Sequence, residues 1–128
     1  MMHPPVSEGK SVLIVEDDNS IREVLQMFLE YEGYCVMTAA NGQEGIEALS
    51  RGQSPCLIVL DLMMPIMDGW QFVESIAKNA TFAAIPIVVV TAFIEKAQEI
   101  KAKLVVKKPI DLNDLLKIVQ QYCGMRKK

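Results

Sequence analysis

The regular alternation of short apolar runs with helical patterns constrains this chain more than any other feature. The runs are VLIV (12–15), YCVMT (34–38), CLIVL (56–60), IPIVVV (85–90) and LVV (104–106). All but the second are continuous rather than alternating. Continuous runs mark strands buried on both faces, as in a parallel sheet covered by helices.

The segments between the runs carry helical spacing. SIREVLQMFLEYEG places Ile21, Val24, Leu25, Phe28 and Leu29 on one helix face. Ser20 and Glu23 have capping-box spacing, and Gly33 supplies a stop. Further helices are expected at 42–50, at 69–79, weakly at 93–101, and at 112–123. In the last, Asp111 is the expected N-cap, and Leu112, Leu115, Leu116, Val119 and Tyr122 face inward. Strand and helix alternate throughout, and right-handed crossovers wrap such a chain into a doubly wound parallel α/β sheet with helices on both faces.

The length of 128 residues fits one domain, and an apolar share of 51% is enough for a core. We expect a flexible lead-in over 1–10, a domain over 11–124 and a basic end over 125–128. Met1 and the closing MRKK read as natural termini. A net charge of −3 argues against nucleic-acid binding. No apolar run has the length of a membrane span, and no signal peptide pattern opens the chain. Cys35, Cys56 and Cys123 form no CxxC pair, so neither a zinc site nor a disulfide framework is expected. Cys35 and Cys56 read as buried thiols, and the default setting is the reducing cytoplasm.

Doubly wound sheets bind ligands beyond the carboxyl ends of their strands. Glu16 and Asp17 follow the first run, Asp61 the third, Thr91 the fourth and Lys108 the fifth. With the first and third strands adjacent, three carboxylates crowd together, and close like charges must be relieved. Magnesium suits such a site, because it takes one or two carboxylates, keeps waters and accompanies phosphate chemistry. Lys108 adds a second positive charge, and the Thr91 hydroxyl suits a phosphoryl oxygen. The plain alternatives are solvated strand-end acids, a β-branched strand residue and a surface lysine. They explain each residue singly but not their shared placement. Asp18 is better read as a helix cap, and Asp68-Gly69 as a turn before a helix.

With these residues assembled, the chain resembles the response-regulator receiver domains of two-component signalling. IVEDD…IRE, DLMMPIMDG, VVTA and KKP stand in the family's order, over about Ser11 to Cys123. The resemblance implies the flavodoxin-like strand order 2-1-3-4-5. It implies Asp61 as phosphoacceptor, and magnesium held by Glu16, Asp17, Asp61 and the Met63 backbone carbonyl. It implies Thr91 as the switch hydroxyl and Lys108 as the lysine that contacts the phosphoryl group. A histidine kinase or histidine phosphotransfer protein is the implied donor, with a downstream protein target the sequence does not name. The implied chemistry is self-catalysed phosphoryl acceptance and loss, not turnover of a separate substrate.

Two departures stand out. Only seventeen positions separate Thr91 from Lys108, so the helix between them should be short or distorted. The usual GA before the fifth strand is replaced by KAK, and Val105 stands where an aromatic side chain is common. Both fall on a face many receivers use for dimerisation, so a monomer is expected. An aspartyl-phosphate phosphatase would want a second acid after Asp61, where Met63 stands. A flavin carrier would want a hydroxyl- and glycine-rich loop after the first strand, where EDDNSIRE is acidic.

Overall fold

The apolar runs become five parallel strands: β1 (Ser11–Val15), β2 (Cys35–Ala39), β3 (Leu57–Leu60), β4 (Ile87–Thr91) and β5 (Leu104–Lys107). They are described in a computed structural model covering residues 11–52 and 54–125. The expected lead-in, 1–10, and residues 126–128 of the basic end lie outside the described residues. Sheet order is β2-β1-β3-β4-β5, the flavodoxin-like order. The central strands β3 and β4 are buried along their whole length, and β1 in all but its first residue. The edge strands β2 and β5 are mostly half-exposed, because each pairs on one side only.

The helices are α1 (Asn19–Tyr31), α2 (Gly42–Ser50), α3 (Gly69–Ile76), the single turn α4 (Ala80–Ala83) and α5 (Leu112–Cys123). Alternate strand residues feed two cores. Val12, Ile14, Leu57, Val59 and Val88 meet Leu25 and Leu29 of α1 and Leu115 and Val119 of α5. Leu13, Val15, Ile58, Leu60 and Val89 meet Ala48 and Leu49 of α2 and Phe72 and Ile76 of α3. Helices thus cover both faces.

Local chemistry sets the helix ends. Asp18 caps α1 by accepting from the Ile21 N–H, so the Ser20–Glu23 capping box is not the one used. Gly33, at φ 101°, turns the chain after α1, and the Tyr34 N–H reaches back to the Leu29 carbonyl. Asp68 and Gln71 form a capping box at the start of α3. Asp111 caps α5 as expected.

Several expectations need correction. Ile21 and Val24 are not inward but exposed, since the sheet covers only the Leu25–Leu29 stripe of α1. They line an apolar cavity of about 490 Å³ with Ile110 and Leu112. The third helix ends at Ile76 instead of 79, and α4 follows separately. Between β4 and β5 stands only a 3₁₀ turn, Ile94–Ala97, which is the shortened helix the spacing demanded. The cysteine reading is overturned outright. Cys56 and Cys123 form a disulfide across a sequence separation of 67, and Cys35 is exposed. The parallel topology brings the end of α5 beside the start of β3, which no sequence spacing reveals.

Ile66, in the β3–α3 loop, has φ 70° and is 81% exposed. A β-branched residue is disfavoured there, and its side chain loses no burial if replaced. Ile66→Asn should therefore stabilise the chain by about 1 kcal/mol. A urea midpoint that falls instead of rising would contradict this.

Candidate functional site

The carboxyl ends of β1, β3 and β4 and the segment after β5 meet at one rim. Register places Val15 beside both Ala39 and Leu60, so the residues that follow, Glu16 and Asp61, leave the sheet side by side. Backbone hydrogen bonds hold them there. The Asp61 N–H donates to the Val15 carbonyl at 2.9 Å, and the Glu16 N–H to the Ala39 carbonyl at 3.0 Å. Carboxylate oxygens of Glu16, Asp17 and Asp61 lie within 4.8 Å of one another.

Two of these acids are buried, Glu16 at 4% and Asp61 at 6% exposure, while Asp17 faces solvent. Lys108 relieves the buried pair. Its Nζ stands 2.8 Å from Glu16 Oε1 and 3.4 Å from Asp61 Oδ2. Glu16 Oε2 also accepts the Asp18 N–H at 3.0 Å, and Asp61 Oδ1 the Leu62 N–H at 2.8 Å. Even so, burial, and then the charge on Glu16, push the Asp61 carboxyl up from 3.8 to about 6, against the pull of Lys108. For Lys108, burial opposes the charge. The hydrogen bond to Glu16 and the charges of Asp61 and Glu16 outweigh it, and its pKa is raised.

Thr91 closes β4, fully buried. Its Oγ1 accepts the Phe93 N–H at 3.0 Å, and its carbonyl accepts the Lys108 N–H at 2.9 Å. Thr91 is thus tied to the lysine segment through the backbone. Among the described hydrogen bonds, none joins its hydroxyl to the carboxylates. The Lys108–Pro109 peptide is cis. Met63, half exposed, lines the same cleft as Glu16, Asp17, Asp61, Ala92, Phe93 and Lys108.

Two supporting residues were not assigned roles by sequence reasoning. Arg22 reaches back from α1, its Nη1 donating to the Glu16 carbonyl at 2.7 Å. Gly69 lets α3 start against the site: a Cβ there would fall 2.6 Å from the Asp61 carbonyl oxygen and 2.8 Å from Leu62 Cα. The Asp68-Gly69 pair signalled a turn, but nothing local signalled so close a backbone approach.

The donor set fits a hard divalent cation. It is oxygen-rich and partly solvent-facing, and the two ion pairs of Lys108 leave out Asp17. Its chemistry is that of a fixed carboxylate beside two further acids and an ammonium, in an open cleft.

Known proteins resemble the chain in sequence and in fold. A family model for the response regulator receiver domain matches residues 12–120. An uncharacterized 14.6 kDa protein from the sodA1 3′ region of Leptolyngbya boryana is 33% identical over 118 residues, covering 88% of each chain. The response regulator Rre1 of Synechocystis is 39% identical over 88 residues, 68% of this chain. The chain matches only 38% of Rre1's own length. The receiver domain of sensor histidine kinase PA1611 from Pseudomonas aeruginosa superposes with a TM-score of 0.81 at 26% identity, over 91% of this chain and 98% of that one. That crystal structure has a magnesium ion coordinated in its active site cleft. The family match spans most of the chain and the fold agrees with it, and the protein belongs to the response regulator receiver family.

Proposed function

We propose that this chain is a phosphoacceptor switch that takes a phosphoryl group from a phosphohistidine onto Asp61. The single observation that carries the reading is a buried carboxylate, Asp61, with Lys108 Nζ at 3.4 Å and two further acids in reach of one cation. Glu16, Asp17, Asp61 and the Met63 carbonyl would hold magnesium, which offsets charge on the transferring oxygens when bound.

The chain's own residues do the rest. The β3 end and the Leu62 N–H fix Asp61 so that one oxygen, Oδ2, faces the cleft beside Lys108. Fixing the nucleophile removes orientational cost from the transfer. Lys108 sits where a phosphoryl oxygen on Asp61 would develop charge. The Thr91 hydroxyl, which accepts the Phe93 N–H, would donate its O–H to a phosphoryl oxygen, and Phe93 begins the segment that leads to the 3₁₀ turn. Output then passes as altered order in 92–106 rather than rotation of an aromatic ring, since Val105 has little surface to move.

A histidine kinase or histidine phosphotransfer protein is the proposed donor. The apolar cavity between α1 and Ile110–Leu112 opens directly beside Asp61 and Lys108, and suits a helical partner presenting its histidine. We further propose a cytoplasmic monomer with 11–124 as the working domain. Among the described residues no helix is long and apolar enough to cross a membrane.

The test is transfer from a phosphohistidine-bearing donor protein, with magnesium or with chelator. We expect label to move to the chain only with the cation. Equal transfer in chelator would contradict the metal assignment, and none in either condition would contradict the donor class.

A further inference from the structure

The cysteine pair lies at the end of the sheet opposite Asp61. Cys56 immediately precedes β3, whose far end carries Asp61, and Cys123 is the last residue of α5. The segment before α5 carries Lys108, paired with Asp61 at 3.4 Å. β3 and α5 are thus joined at one end by the ion pair and at the other by a covalent bond. The two residues differ in exposure: Cys56 is partly exposed, while Cys123 is 2% exposed.

A second tie sits at the same place. The Tyr34 hydroxyl donates to the Gly124 carbonyl at 2.6 Å, and Leu115 and Val119 of α5 are fully buried. Opening the disulfide therefore leaves α5 docked by packing and a hydrogen bond, and removes only the covalent restraint on its last turn.

We propose that Cys56 and Cys123 are a reversible redox modification site that exchanges with low-molecular-weight disulfides and sets how tightly α5 is held. In the oxidising direction the Cys56 thiolate attacks the small disulfide and expels one thiolate, which takes up the proton Cys56 lost. Cys123, deprotonated in turn, attacks the Cys56 sulfur and expels the second thiolate, which takes up that proton. Two electrons pass from the cysteine pair to the small disulfide, giving two small thiols. Reduction is the reverse, and begins at Cys56, the more exposed residue of the pair.

The test uses the whole chain equilibrated with glutathione disulfide or with excess dithiothreitol. Peptide mapping after alkylation should find Cys56 joined to Cys123 after oxidation and both as thiols after reduction, reversibly, whatever glutathione the exposed Cys35 takes up. Amide exchange in 112–123 should be about tenfold faster in the reduced form, and its melting temperature about 10 °C lower. Cys123→Ser, and separately Cys56→Ala, should exchange like the reduced chain whatever the oxidant. Cys56 and Cys123 both remaining thiols in glutathione disulfide would overturn the site. Identical α5 exchange in both forms, or cooperative unfolding of the reduced chain at 25 °C, would overturn its role as a restraint on α5.

Discussion

Asp61→Asn is expected to raise stability above pH 6 in the absence of metal, and to lose that advantage as the pH falls towards 4. Burial and the Glu16 charge raise the Asp61 carboxyl from 3.8 to about 6. A carboxyl raised in the folded state favours folding when protonated. That contribution is fully present below its ordinary value and is lost as the pH rises through about 6. Above this window the parent carries the whole cost of an ionised, buried Asp61, at most about 3 kcal/mol. Asparagine keeps the size and can still accept the Leu62 N–H, but gives up the attraction of Lys108. The net gain should be about 1–3 kcal/mol at pH 8. Urea midpoints at pH 4.5 and 8 check it, and a variant less stable than the parent at pH 8 would count against the crowded site. Magnesium should narrow the gap, by stabilising the parent more than the variant, which lacks one of the site's carboxylates.

Lys108→Ala should have the opposite sign. The side chain is 20% exposed and is the ammonium between two carboxylates that are almost wholly buried. Removing it leaves Glu16 and Asp61 facing each other with no cation between them. Breaking a buried pair from one side costs about 3–5 kcal/mol, and partial exposure of Lys108 lowers the expected loss to about 2–3 kcal/mol. The loss should shrink when magnesium is added, because the cation replaces the missing charge. Phosphoryl acceptance should fall by about 10²-fold, the scale for removing one preorganised charge from the reacting oxygens. Melts with and without magnesium, beside the labelling rate from acetyl phosphate, separate the two effects. An alanine variant as stable as the parent and labelled as fast would remove Lys108 from the account.

What was legible in the sequence follows from which interactions are local. β1, β3 and β4 announce themselves as unbroken apolar runs because both their faces are covered. The rim residues followed, since each stands directly after such a run. Asp111 and Gly33 were readable as caps because capping is a short-range event. Ile21 and Val24 misled because an apolar stripe on a helix says nothing of how much of it a sheet can reach. They lie on the cavity wall instead. The Cys56–Cys123 bond was hidden because its partners meet only through the sheet order and the return of α5. Gly69 was hidden for the same reason, since its lack of a Cβ matters only once α3 lies against Asp61. The shortened segment before β5 was legible from a residue count, although its form as one 3₁₀ turn was not.

The measurement closest to the central claim is the position of the phosphoryl group after incubation with acetyl phosphate and magnesium. Intact mass and fragmentation should find one group per chain, on Asp61, released by mild base as an acyl phosphate is, and absent from Asp61→Asn. Label on another residue, or equal label on the asparagine variant, would contradict Asp61 as the acceptor.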